Sequence, residues 1–198
     1  MGLSIVLDDI DWNEGSDNTA GTQQSIYFIN KFDVQIFPAL PKLETATSLE
    51  ALATVAGNIV LKPGKKPSRI YSTLETSSIT SESQGDIDAV SFKNALKFLH
   101  PGNKAKADGF TRFAKNGSWY ILTAETDGAI RLIGHPGYPG KMISAPGTTG
   151  EKTADRKGRT FTFQSVWGGP APIFTGKVMV APADAEGEAV EFELDFLK

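Results

Sequence analysis

The sequence contains no cysteine and only two histidines. The first absence excludes disulfides, thiolate zinc sites, iron–sulfur clusters and a cysteine nucleophile. The second leaves His100 and His135 as the imidazoles available for metal binding or base catalysis. Neither has a carboxylate or a second histidine at metal-ligand spacing. His100 is instead expected to sit as a favourable cation at the carboxyl end of a predicted helix.

Long apolar runs are missing too. No window approaches the roughly 20 residues that a membrane span requires. The opening "MGLSIVLDDIDW" lacks a positive leading segment, and Asp8 and Asp9 break its apolar run, so it does not read as a signal peptide. A soluble, cytosolic product is expected. With a formal net charge of −3 and no basic tail, the chain has no dedicated groove for a duplex phosphate backbone. There is no GxSxG nucleophile elbow, no fixed-period repeat and no low-complexity tract.

What is present is ordinary globular material: 40% hydrophobic and 22% charged residues in a chain of 198, enough for one well-buried domain. Residues 1–24 read as an acidic arm or loop, with Ile10 and Trp12 among Gly, Ser, Asn and Thr. "SIYFINKFDVQIF" from Ser25 is strand-like, with Phe32, Val34 and Ile36 alternating with polar residues before Pro38. A short helix is predicted at 48–56, where Thr47 and Glu50 have capping-box spacing and Gly57 follows. "NIVLKPGKKPSRIYSTLETSSITSE" reads as a hairpin around Pro63-Gly64. The main helix is predicted from Asp86 or Asp88 to Leu99, because Val90, Phe92, Ala95, Leu96 and Leu99 form one stripe at helical spacing.

Three further strands are expected across "GFTRFAKNGSWYILTAETDGAIRLIG", joined by type I′ turns at Asn116-Gly117 and Asp127-Gly128. "GRTFTFQSVW", "APIFTGKVMV" and "GEAVEFELDFL" complete the strand set. The resulting expectation is a single mainly β domain over 1–198, a β-sandwich or barrel with one flanking α-helix and long loops near 8–24, 100–108 and 134–157.

"ISAPGTTGEKTADRKGRTFTF", residues 143–163, has the look of a phosphate-binding loop. The GxxxxGK[ST] mechanism needs glycines before the lysine and five residues earlier, then a helix starting at the lysine. Here those positions hold Glu151 and Pro146, and an alternating strand follows. All three requirements fail, leaving a solvated loop. The acidic cluster Asp8, Asp9, Asp11, Glu14 and Asp17 lacks EF-hand spacing and reads as a solvated arm rather than a calcium site. Trp12, Trp119, Trp167 and the tyrosines could form a sugar-stacking platform. Trp119 and Tyr120 are adjacent in a strand, so at most one is exposed if that sheet covers a core. "WGGPAP", residues 167–172, marks a bent strand end or a contact surface. Paired carboxylates for glycoside hydrolysis depend on three-dimensional separation, and the sequence gives no positive sign of them.

"RIYSTLETSSITSESQGDIDAVSFKNALKFLHPG", then "NGSWYILTAETDGAIRLIGHPGYPG" and "DRKGRTFTFQS", resemble in pattern the virion structural proteins of tailed bacteriophages. The likeness is to tail tube and related tail proteins of phages of Bacteroidota, over residues 60–180. The first 57 residues match nothing in that pattern. The resemblance implies a non-enzymatic virion protein without cofactors, assembled in the host cytoplasm. Its partners would be other copies of itself in stacked, commonly hexameric rings, together with other tail or connector proteins. The genome would be touched only passively, and no membrane is involved. Lys152, Arg156, Lys157 and Arg159 would then be assembly contacts, with Asp9, Asp11 and Glu14 as an acidic counterpart and Trp167 as a further contact. A different reading is a β-rich module binding carbohydrate or a host surface through Trp167 and Tyr138.

Overall fold

The computed structural model describes residues 5, 9–11, 14–15, 18–183 and 187–197. In chain order, the first half holds β1 (Thr22–Asn30), β2 (Val34–Ile36), α1 (Leu49–Ala53), β3 (Thr54–Val55), β4 (Ile59–Leu61), β5 (Ser68–Tyr71), β6 (Ser78–Gln84) and β7 (Ser91–Pro101). The second holds α2 (Ala105–Ala114), β8 (Trp119–Glu125), β9 (Ile130–Ile133), β10 (Lys141–Ser144), β11 (Gly147–Thr148), β12 (Gly158–Trp167), β13 (Ile173–Phe174), β14 (Val178–Val180) and β15 (Val190–Phe192). The protein is mainly β, with a flanking helix.

The described residues build three sheets. The six-stranded sheet runs β3-β13-β9-β8-β1-β5, the second runs β10-β12-β7-β6 with β11 also on β12, and the third runs β15-β14-β4-β2. The six-stranded sheet lies between the other two, and its side chains show why. Tyr27, Ile29, Tyr120 and Leu122 pack with Ile59, Leu61, Val178 and Phe196 of the third sheet's side. Their neighbours Ile26, Phe28, Trp119 and Ile121 pack with Leu96, Phe98, Phe161 and Phe163 of the second sheet. Successive strand residues face opposite sides. A strand covered on both faces therefore needs apolar residues at every position, as in "IYFI" from Ile26 and "WYIL" from Trp119. Trp119 and Tyr120 are both buried for this reason: each has its own core.

The second core is aromatic. Phe28 meets Phe163 at 4.9 Å and Phe110 at 5.4 Å between ring centroids, and Phe98 stacks on Phe161 at 5.2 Å. Each such pair contributes about 0.5–1.5 kcal/mol beyond its area burial. Helix α2 closes this core at one side with Ala114 and Phe110.

Several sequence expectations are corrected. The segment read as the main helix is the tip of a hairpin followed by β7, paired with β12 from Phe92 to Pro101 on one side and with β6 from Ser91 to Lys97 on the other. In β7 the inward positions are Asn94, Leu96 and Phe98, an alternation hidden by the polar Asn94. Asn94 is satisfied there: its Oδ1 accepts from Ser81 Oγ at 2.6 Å, and its Nδ2 donates to the Gly169 carbonyl at 3.1 Å. The flanking helix lies instead at α2, in a stretch expected to be loop and then strand. Asn116-Gly117 is accordingly a helix-to-strand junction. Gly117 lies against the Trp119 indole, where a Cβ would meet Nε1 at 2.4 Å.

The Pro63-Gly64 turn joins no hairpin, because β4 pairs with β2 and β14 while β5 pairs with β1. The expected alternation at Phe32 fails: Phe32 sits in a 3-10 turn, exposed. The short helix exists, but Ser48 rather than Thr47 is its N-cap, accepting from the Ala51 amide at 3.2 Å. Asp127-Gly128 does join β8 to β9. Only Gly128 has positive φ (96°), so the connection is a three-residue loop with an αL glycine rather than a type I′ turn.

Candidate functional site

The basic loop between β11 and β12 is closed on itself. Asp155 Oδ2 accepts the backbone N–H groups of Glu151 at 2.9 Å and Lys152 at 2.8 Å. The Asp155 N–H donates to the Lys152 carbonyl at 3.0 Å. The amides nearest the phosphate-loop lysine thus already hold a carboxylate from the same loop. These bonds, that from Lys152 first and that from Glu151 second, hold the Asp155 carboxyl below the usual aspartate range. Lys152, Arg156 and Lys157 are exposed on this loop. Arg159, the second residue of β12, is not a loop charge: it bonds Asp108 Oδ1 of α2 at 2.9 Å and the Ala145 carbonyl at 2.8 Å. It ties the loop's base to the helix.

Asp9, Asp11 and Glu14 are exposed, whereas Asp8, Trp12 and Asp17 lie outside the described residues. Among the described residues no three His, Asp or Glu side chains cluster as a metal site. No helix among them is long and apolar enough to cross a membrane.

Trp167 ends β12 opposite Phe92 of β7. Beyond it the WGGPAP segment bends from the second sheet into the six-stranded one, burying Ala171, with the Pro172 carbonyl accepting the Leu132 amide at 3.0 Å. Trp167 lines, with His135, Asn94 and Ser165, a gap of only about 10 Å³, room for roughly one water. His135 is fixed: Nε2 lies 3.0 Å from the Val166 carbonyl, and Nδ1 accepts the Gly137 amide at 3.3 Å. Tyr138 packs edge-on against it at 5.9 Å and keeps 60% of its surface exposed. His100 is not at a helix end. It stands in β7, with Nδ1 2.9 Å from the Tyr71 carbonyl, joining the edge of the six-stranded sheet to the second sheet.

That junction opens into a groove of about 530 Å³ between β5 and α2. Its floor is apolar, from Ile70, Ala107, Phe110 and Phe161; its cationic groups are Arg69, Lys104 and Lys106, and among the described residues no carboxylate lines it. The nearest carboxylate on the helix, Asp108, is held by Arg159. Sequence reasoning missed this groove because α2 was not recognised as a helix, so Lys104 and Lys106 had no surface to belong to.

The sheet edges differ in how they meet solvent. β3, β5 and β15 are two to four residues long, and the pairings of β2 and β10 contain register shifts. Short length and bulging are the usual ways to blunt an edge. β6 has neither: seven residues, Ser78 to Gln84, pair with β7 in unbroken register. β6 ends its sheet and is almost wholly exposed. The hairpin tip beyond it, Gly85 to Val90, projects with Ile87 90% and Val90 57% exposed.

No family model, curated protein or solved structure matches the chain.

Proposed function

We propose that the protein is a structural, self-assembling subunit rather than a catalyst, of the tail tube-like kind that the sequence resemblance implies. Copies join through sheet edges into closed rings, and the rings stack into a channel that conveys a genome. The observation that carries this reading is β6. It is long, in continuous register, free of proline, and bears Glu82 as its one charged residue. Such an edge presents backbone donors and acceptors in a row to another chain. Closure into a ring covers every copy of it at once, as symmetric oligomers require. Apolar exposure at the hairpin tip adds surface that gains by being covered.

Electron microscopy of the purified protein across a concentration series tests the reading. Rings or tubes are the expected result. A chain that stays monomeric at the highest concentration refutes it, and a monomer retained on a glycan array would point to a host-surface module instead.

A further inference from the structure

The hairpin tip and the α2 groove stand at opposite ends of one strand. β7 leaves the tip at Ser91 and reaches the groove at His100 and Pro101. At about 3.3 Å per residue, its length separates the two by roughly 30–35 Å. Their chemistry is complementary. The tip, "GDIDAV", carries Asp86 and Asp88 around Ile87, all exposed. The groove carries Arg69, Lys104 and Lys106 around an apolar floor.

The tip is also preformed. Gly85 has φ of 108°, and a Cβ there would meet the Ala89 carbonyl oxygen at 2.3 Å. The Ala89 amide closes the turn on Asp86 at 3.0 Å. A segment already held in one conformation loses little entropy on docking.

We infer that the hairpin tip of one copy seats in the α2 groove of the next, Ile87 entering between Phe110 and Ile70 while Asp86 and Asp88 meet Lys104 and Lys106. The contact is heterologous, one end of β7 against the other end of a second copy's β7. It propagates along the strand direction rather than closing on itself pairwise. This rests on the self-assembly reading and supplies its head-to-tail contact, whereas β6 supplies the lateral one.

Two charge-altered chains test the contact. The tip variant combines Asp86→Lys with Asp88→Asn; asparagine is chosen because residue 88 has φ of 66°, which Asn tolerates. The groove variant combines Lys104→Glu with Lys106→Glu. All four positions are exposed, so both chains should keep the wild-type circular dichroism and melting midpoint. Each alone should need at least about tenfold more protein to assemble, since like charges then face each other. Mixed in equal amounts, they should recover assembly near the wild-type concentration: the altered tip now suits the altered groove, and the native tip still suits the native one. Sedimentation velocity reads all three.

If the wild type assembles and either folded variant assembles equally well alone, the contact is wrong. Failure of the mixture to recover overturns it likewise. A wild type that never assembles removes the self-assembly reading and this contact together.

Discussion

The two faces of the six-stranded sheet are covered by sheets of very different reach. On one face the covering strands β2, β4, β14 and β15 are three residues each, about what is needed to place Ile59, Leu61 and Val178 over Tyr27 and Leu122. On the other, β7 and β12 are 11 and 10 residues long, yet the deeply buried apolar side chains they contribute are Leu96, Phe98, Phe161 and Phe163. Strand length beyond a core gives little stability. What it provides is projection, and in this protein the projecting part carries the unblunted edge and the apolar tip.

The comparison can be broken first at the wide face. Phe163→Ala removes a ring that touches Phe28, Phe98 and Phe161 and should cost about 3–5 kcal/mol, read as a shift in the urea midpoint. A loss below about 1 kcal/mol would mean that the aromatic core is loosely packed. Ile59→Val on the narrow face deletes one methylene from a fully buried site and should cost about 0.5–1.5 kcal/mol. If both variants leave the transition cooperative and coincident by fluorescence and circular dichroism, the two cores form one unit.

The smallest effect is local, at Asp155. Its carboxyl is depressed by two amide bonds, so those bonds exist above the usual aspartate range and are lost as pH falls through its lowered folded value. Hydrogen-exchange protection of the Glu151 and Lys152 amides should fall on acidification in the wild type. In Asp155→Ala, which has no side-chain acceptor, it should be low and independent of pH. Protection in the wild type that does not change with pH would show that the turn is held by something else.

How much of this could be read from the sequence depended on whether polar residues interrupted the periodicity. β1 and β8 were legible because their apolar runs are unbroken, and β12 because Phe161 and Phe163 alternate with polar residues. The glycine of Asp127-Gly128 marked a real connection. β7 was misread because Asn94 occupies an inward position and Ala95 and Leu99 lie on the opposite face, so a strand mimicked a helical stripe. α2 was missed for the converse reason. It has Gly109 in its middle and no side-chain N-cap, and its buried residues are the alanines 107 and 114. The charged loop at 150–157 was visible in sequence, but the bonds from Asp155 that close it were not. The groove was invisible altogether, being made by β5, β7, β12 and α2, which meet only in three dimensions.

One contact also orders events in time. The Tyr27 hydroxyl donates to the Asp195 carbonyl and accepts the Asp195 amide, both at 2.8 Å, while its ring meets Phe196 edge-on at 5.2 Å. The first strand is therefore finished by residues 168 positions later. During synthesis, where earlier segments fold as they emerge, the aromatic core can gather once residue 163 is out. The narrow face, although β2, β4 and β14 already lie on it, stays incompletely covered until the segment around Asp195 arrives. A copy still being made thus carries an unfinished side, and the clamp on Tyr27 marks when that side closes.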